Sequence, residues 1–185
     1  MSRKIAVIVG SLRQGSLTRA IAQAVVEQGG ARFDARFIEI GDLPLYNPDL
    51  DDAPTPPAAW TRFREEMAGV EAVLFATPEY NRTIPASIKN ALDVGSRPYG
   101  ASIWNNKPAA IISVSPGAIG GFGANHHLRQ PLVFLNMPLM QQPEAYIGGA
   151  ANLVDENGKV TQANTLEFLK TIANAFADWI ERTAK

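Results

Sequence analysis

The sequence has no cysteine among its 185 residues. It therefore has no disulfide framework, no thiolate nucleophile and no zinc site built on sulfur ligands. A net charge of −1 at pH 7 provides no basic surface of the kind that nucleic-acid-binding domains carry. No apolar stretch reaches the roughly 18 residues that a membrane-spanning helix needs. We therefore expect a globular protein with neither nucleic acid nor membrane as a partner.

Length and composition are ordinary for a globular domain. The chain is 46% hydrophobic and 19% charged, and its length suits a single domain over residues 1–185. The first strand begins within a few residues of Met1, so we expect no signal peptide. The absence of cysteine fits the same interpretation, and we predict a cytoplasmic location.

Apolar strand patterns and helix patterns alternate along the chain. Strands are predicted at 4–9, 33–40, 71–77 and 108–114, with a weaker fifth strand at 139–142 or 144–147. Helices are predicted at 17–26, 58–68, 86–94, 125–135 and 163–181. Five strand–helix units in series predict an α/β fold, a doubly wound five-stranded parallel sheet with helices on both faces.

Three loops follow strands of this predicted sheet, at 10–16, 77–85 and 115–123. In doubly wound sheets, ligands bind outside the carboxyl ends of the strands, where the strand order reverses. The three loops are therefore the candidate ligand-binding segments. A further loop at 43–57 is rich in proline, and we interpret it as mobile.

The first loop places hydroxyl groups and one arginine at the start of a helix. Ser11, Arg13, Ser16 and Thr18 supply these groups, and unpaired N–H donors at a helix N-terminus attract phosphate. The loop has neither the Gly-Lys-Ser/Thr ending of a nucleoside-triphosphate loop nor the Gly-x-Gly-x-x-Gly dinucleotide fingerprint. A phosphate monoester held without chemistry fits best. The alternative is an ordinary capped helix, with Ser16 as N-cap and Arg13 in solvent.

The other two loops have the composition of ligand-contacting segments. Pro78 and Pro85 stiffen the middle loop, which carries Tyr80, Asn81 and Arg82. The third loop has four glycines in the seven residues 117–123, and glycine lets the backbone approach a ligand closely. The alternatives are a plain turn with a surface tyrosine and a merely flexible glycine loop.

Several motifs together resemble the NADPH-dependent FMN reductase family, which includes bacterial quinone, chromate and azo-dye reductases of flavodoxin-like fold. The similarity covers about residues 4–142 in consistent order. The motifs are Gly10-Ser11-Leu12-Arg13 with Ser16, Leu43-Pro44-Leu45-Tyr46-Asn47, Thr77-Pro78-Glu79-Tyr80-Asn81, Lys89-Asn90-Ala91-Leu92-Asp93, Ser96-Arg97-Pro98 and His127-Leu128-Arg129. The Pro-Glu-Tyr-Asn stretch with Ser-Arg-Pro downstream is the most specific of them.

The resemblance implies a set of cofactor-binding residues. The residues implied to hold the FMN phosphate are Ser11, Arg13, Ser16, Leu17 and Thr18. Those implied to line the isoalloxazine ring are Pro78, Glu79, Tyr80 and Asn81, and those implied to approach the ribityl chain or the pyrimidine edge are Ser115 and Gly117. Tyr80, Arg82 and Arg97 are candidate substrate-binding residues. No protein side chain is assigned as catalytic, because the cofactor carries the chemistry.

The implied activity is hydride transfer from NADPH or NADH through N5 of FMN to an acceptor. The acceptor is a quinone or a similar molecule such as chromate, an azo dye or free flavin. The resemblance also implies a homodimer or homotetramer. The alternatives are a flavodoxin-type electron carrier without NAD(P)H turnover and a regulatory protein with an empty site. FMN is either a fixed prosthetic group or a loosely bound substrate.

The sequence departs from the family pattern in three places. Thr18 stands where asparagine is usual, Val94-Gly95 where tryptophan is common, and 122–125 lacks an arginine that often follows the paired glycines. The two histidines, His126 and His127, are adjacent. Neighbouring helical residues point about 100° apart, so we predict no metal site there.

Overall fold

The fold is built around five strands, which a computed structural model places in one sheet. They are β1 (Arg3–Val9), β2 (Phe33–Ile38), β3 (Ala72–Pro78), β4 (Ala109–Val114) and β5 (Ala145–Ile147). All neighbouring strands are parallel, in the order β2-β1-β3-β4-β5. The structure describes residues 2–52 and 54–183. Met1, Ala53 in the predicted proline-rich loop, Ala184 and Lys185 lie outside the described residues.

Helices cover both faces of the sheet. They are α1 (Leu17–Gly29), α2 (Pro48–Asp51), α3 (Ala58–Ala68), α4 (Ala86–Gly95), α5 (Phe122–Phe134) and α6 (Ala163–Thr183), with 3-10 turns at Gly30–Arg32 and Ala150–Asn152. Alternate residues of β1 point to opposite faces, so Ile5 and Val7 pack against α1 and α6. Ala6 and Ile8 pack with α3, α4 and α5 on the other face. The predicted doubly wound parallel sheet is confirmed.

Several predicted boundaries were wrong. Strand β2 ends at Ile38 rather than at residue 40, because its register pairs Ile38 with Ile8 near the end of β1. The fifth strand is the second of the two predicted segments, and Leu139 makes only an isolated bridge with Ala109. The proline-rich loop contains the short helix α2, because Asn47 caps it by accepting a hydrogen bond from the Asp49 N–H at 3.0 Å.

The strand order places the candidate loops along one edge. The chain passes from β1 outward to β2 and then crosses back to β3 on the other side of β1. The order therefore reverses between β1 and β3, and the carboxyl ends of strands at such a reversal are where doubly wound sheets bind ligands. The Gly10 N–H continues the ladder by donating to the Ala76 carbonyl at 2.8 Å. The first loop thus begins in hydrogen-bonded contact with β3.

One buried amide fastens the proline-rich loop to α4. The side-chain oxygen of Asn90 accepts from the Tyr46 N–H at 2.8 Å. Its nitrogen donates to the carbonyls of Leu43 at 3.1 Å and Pro44 at 3.0 Å. Trp60 also donates to the Pro44 carbonyl. The loop that covers α3 and α4 is therefore held in place by Asn90.

We expect Asn90→Ala to lower the free energy of unfolding by about 1–3 kcal/mol, because it leaves the Tyr46 N–H and the Leu43 carbonyl without their side-chain partner. Chemical denaturation measures this change. The control is Asn164→Ala, an exposed position in the first turn of α6, where about 0.5 kcal/mol or less is expected. Equal effects of the two substitutions would contradict the anchoring role of Asn90.

Candidate functional site

The first loop leads into α1 through a capped N-terminus. Ser16 is the N-cap, and its hydroxyl accepts from the Arg19 N–H at 3.1 Å. The helix begins at Leu17, and the first N–H groups of a helix have no carbonyl one turn earlier to bind. Ser16 therefore caps α1, as in the alternative interpretation of this loop, and backbone donors remain at the mouth of the loop.

Two buried residues in this region carry hydroxyls without a protein partner among the described residues. Ser11 and Thr18 are buried, yet within residues 2–52 and 54–183 their hydroxyls make no hydrogen bond. The Arg13 side chain is exposed and has no ion pair in the same described ranges. Hydroxyls, backbone N–H groups and one guanidinium form the donor set that a phosphate monoester requires. The residues at this loop therefore fit the phosphate of FMN.

Close packing fixes the first loop against the start of α4. A Cβ atom on Gly10 would lie 2.6 Å from Cδ1 of Ile88 and 2.8 Å from Cγ of Pro85. The Ser87 hydroxyl also donates to the Gly10 carbonyl at 2.7 Å. Any residue larger than glycine at position 10 would push the two loops apart. The structure thus brings the first and middle loops together.

The middle loop is a tight two-residue hairpin. Tyr80 and Thr83 exchange backbone hydrogen bonds of 3.0 and 2.9 Å. The residues between them, Asn81 and Arg82, both have positive φ, at 50° and 65°. These values are those of a type I′ turn. The hairpin presents two side chains to solvent. Tyr80 is 48% exposed, and the side chain of Arg82 is 74% exposed.

The Glu79 carboxylate connects this hairpin to α5. One carboxylate oxygen accepts from the Ala124 N–H at 3.0 Å, and the other pairs with Arg82 at 3.2 Å. The Glu79 side chain is only 12% exposed. Both oxygens of its carboxylate therefore already have protein partners. The predicted contacts of the middle loop with the isoalloxazine ring are then available to the backbone of Glu79 and to Pro78, Tyr80 and Asn81.

The third loop is held on β5. The Ser115 N–H donates to the Ile147 carbonyl at 3.0 Å, and the Ser115 hydroxyl accepts from the Gly117 N–H at 3.0 Å. Gly120 has a φ of 66°, and a Cβ atom there would lie 2.6 Å from the Tyr146 carbonyl carbon. Helix α5 begins at Phe122, inside the predicted loop 115–123. The loop is consequently shorter than predicted, and it lies beside the hairpin that Glu79 ties to α5.

Arg97 lies apart from the other predicted residues. It follows α4, whose ten residues run away from the site, a distance of about 15 Å at 1.5 Å per residue. Its guanidinium lies 5.9 Å from the Tyr99 ring. Within one chain, the structure brings the three loops together and leaves Arg97 at the other end of α4.

The two histidines of α5 contact different residues outside the helix. His127 Nδ1 lies 2.9 Å from the Thr83 hydroxyl of the hairpin, and His126 Nε2 lies 2.9 Å from the Tyr146 hydroxyl. Burial, and then the Glu144 carboxylate, raise the pKa of Tyr146 to about 12. In the part of the chain that the structure describes, no three His, Cys, Asp or Glu side chains are grouped to hold a metal ion. Sequence reasoning missed these contacts, which join residues far apart in the chain.

Comparison with known proteins decides the family. Residues 3–152 match the family model described as NADPH-dependent FMN reductase. The chain belongs to this family. Its FMN dependence, its use of NAD(P)H as electron donor and its oxidoreductase class, all predicted from the sequence, are confirmed at the level of the family.

Relatives of this FMN reductase family member cover nearly the whole chain. A quinone reductase of Pseudomonas putida is 57% identical over 177 residues, 96% of this chain and 94% of that protein. A 2-hydroxy-1,4-benzoquinone reductase of Burkholderia is 42% identical, with 97% of each chain covered. The structure of FerB, a flavoenzyme NAD(P)H:(acceptor) oxidoreductase from Paracoccus denitrificans, matches with a TM-score of 0.90 and 41% identity over 98% of both chains. The predicted flavodoxin-like fold is confirmed.

Among the described residues, no helix combines the length and the apolar character needed to cross a membrane.

Glu79→Ala is expected to lower the free energy of unfolding by about 0.5–2 kcal/mol, the range for losing a helix cap. Glu79→Gln keeps a side-chain oxygen that can accept from the Ala124 N–H, so it is expected to recover most of this loss. Thermal and urea unfolding of both variants measure the difference. Identical stability of Glu79→Ala and the unchanged protein would show that the hydrogen bond to α5 contributes nothing.

Proposed function

We propose that this protein reduces quinones with electrons from NADPH or NADH, using FMN bound at the edge formed by the three loops. The observation that supports this most strongly is the convergence of those loops where the strand order reverses, with the hydroxyls of the buried residues Ser11 and Thr18 making no protein hydrogen bond in the described ranges. Quinone is the acceptor favoured by the names of two relatives, from Pseudomonas putida and Burkholderia.

In this proposal each loop has its own part of the cofactor to hold. The phosphate is bound by Ser11, Arg13, Ser16, Leu17 and Thr18 of the first loop and α1. The ring is flanked by the hairpin segment of Pro78, Glu79, Tyr80 and Asn81, and the ribityl chain or pyrimidine edge by Ser115 and Gly117. When bound, FMN would supply the two-electron redox chemistry between the nicotinamide and the acceptor. The chain supplies binding and orientation, and we assign no acid or base to it.

Tyr80 and Arg82 are placed to meet the substrates. Tyr80 is half-exposed on the hairpin, and a flat aromatic side chain suits contact with a quinone or nicotinamide ring. The exposed Arg82 guanidinium offers a cation to anionic groups of the dinucleotide or of an acceptor.

Chromate, azo dyes and free flavin remain further predicted acceptors. A single domain and a cytoplasmic location also remain predictions.

The homodimer or homotetramer implied by the family resemblance also remains a proposal. Exposed apolar side chains border the furrow between α4 and α5, with Phe134 87% exposed and Tyr99 93% exposed. Arg97 lies beside them. A second copy covering this furrow would bury the aromatic side chains. Arg97 stays a predicted substrate-binding residue. Light scattering on the purified protein measures the oligomeric state.

We expect the protein loaded with FMN to oxidise NADPH or NADH when a benzoquinone is supplied, with parallel lines in double-reciprocal plots because donor and acceptor use one site in turn. Stopped-flow absorbance and steady-state rates measure this. FMN that binds without any NAD(P)H oxidation would contradict the enzyme and favour an electron carrier. Dialysis followed by a visible spectrum distinguishes fixed FMN from loosely bound FMN.

Arg13→Ala is expected to weaken FMN binding by about 1.5–3 kcal/mol, the contribution of a charge-assisted hydrogen bond to phosphate. The same substitution is expected to leave riboflavin binding unchanged, because riboflavin has no phosphate. Arg36→Ala, an exposed arginine on β2, is the matched control. Loss of both flavins to the same degree, or no loss of FMN, would remove Arg13 from the phosphate site.

A further inference from the structure

A groove beside the first loop extends beyond the residues that the proposed function uses. It has a volume of about 690 Å³ and lies between α1 and the segment 154–159. One wall is formed by the loop residues from Arg13 to Ser16 and by the outer face of α1 at Ala20 and Gln23. The groove therefore starts at the residues proposed to hold the FMN phosphate and continues away from the sheet edge.

The opposite wall is a preformed hairpin. Val154 and Val160 make an antiparallel bridge. The Asp155 carboxylate accepts from the N–H groups of Asn157 at 2.9 Å and Lys159 at 2.8 Å. Leu153, Val154 and Val160 pack against the core under α1 and α6. The hairpin thus has a defined shape and position before any ligand binds.

We propose that this groove binds the adenosine-phosphate half of FAD, so that the protein accepts FAD as well as FMN. The inference rests on the proposed FMN site, because FAD is FMN extended from its phosphate by a second phosphate and adenosine. Such an extension needs an opening at the phosphate loop. At Gly15, which lines the groove, a Cβ atom would have nothing within 4 Å, so the loop is open on this side.

The side chains of the groove match the chemistry of an adenylate. In the described ranges the lining cations Arg13 and Lys159 have no ion pair, whereas Arg19 pairs with Glu39 at 2.8 Å. Two free cations on opposite walls suit a pyrophosphate. The amides of Gln14 and Gln23 can donate to and accept from adenine.

The remaining lining residues fit the same ligand. Leu17 and Val154 are half-buried apolar side chains that a purine ring can cover. Glu27 and Glu156 also line the groove, and carboxylates accept hydrogen bonds from ribose hydroxyls. The volume of 690 Å³ lies within the usual range of about 300–1,000 Å³ for small-molecule sites.

The test is a titration of the full chain, stripped of flavin, with FMN, FAD and riboflavin, followed by flavin fluorescence and calorimetry. Mass spectrometry of the bound flavin confirms that FAD has not been hydrolysed. We expect FAD to bind within about tenfold of FMN and to compete with it. If FMN binds and FAD does not, this inference fails and the proposed function stands. If neither flavin binds, the proposed function itself fails.

Two variants test whether the adenylate half of FAD lies in the groove. Ala20→Trp fills the α1 wall and is expected to weaken FAD at least about tenfold while changing FMN less than about twofold. Lys159→Ala is expected to weaken FAD about three- to tenfold and to leave FMN unchanged. Lys170→Ala, an exposed lysine on α6, is the matched control and should change neither. Equal effects on both flavins, or no effect on FAD, would overturn the groove as its site.

Discussion

The site depends on one constraint, the reversal of strand order between β1 and β3. Parallel strands end at one edge, and the reversal sends the connections after β1 and β3 to opposite sides, so that a crevice remains between them. Two local contacts keep its walls together. The Gly10 N–H bonds to the Ala76 carbonyl, and the missing side chain of Gly10 lets Ile88 and Pro85 pack against the first loop. The phosphate loop and the ring loop are therefore parts of a single packed unit.

Helix α5 connects the other two loops. Its first turn receives the Glu79 carboxylate from the hairpin, and His127 one turn later contacts Thr83 of the same hairpin. The third loop leads directly into this helix and is held on β5 through Ser115 and Ile147. A displacement of α5 would therefore move both the middle and the third loop, which means that the ring environment is set by helix packing and not by loop conformation alone.

Local sequence patterns were sufficient for the sheet and for most of the helices. Such patterns act over a few residues and can be recognised along the chain. Examples are the β-branched run of β1, the helix stop signal Gly29-Gly30 and the proline that directly precedes α4. The candidate loops could be predicted for the same reason, because parallel strands end at a common edge. The family resemblance supplied the identity of the cofactor, which no local pattern specified.

The features of the site that the sequence did not predict depend mainly on contacts between residues far apart in the chain. The start of α5 was misplaced because its cap comes from Glu79, some 40 residues earlier, and not from a neighbouring side chain. The type I′ turn carries Asn81 at its first central position, and asparagine favours positive φ. Its second central residue is Arg82 instead of the usual glycine, so the sequence does not show the Asn-Gly signal of such a turn. Arg97 was grouped with the site because its motif follows the ring motif in the chain. Helix α4 separates the two in space.

A crystal structure of the full chain grown with FMN tests the central claim most directly. The account predicts the phosphate within about 3 Å of backbone nitrogens in the first loop and α1, with the ring between the hairpin at Tyr80 and the third loop. A phosphate bound elsewhere, or a ring lying away from the β1–β3 crevice, would contradict it.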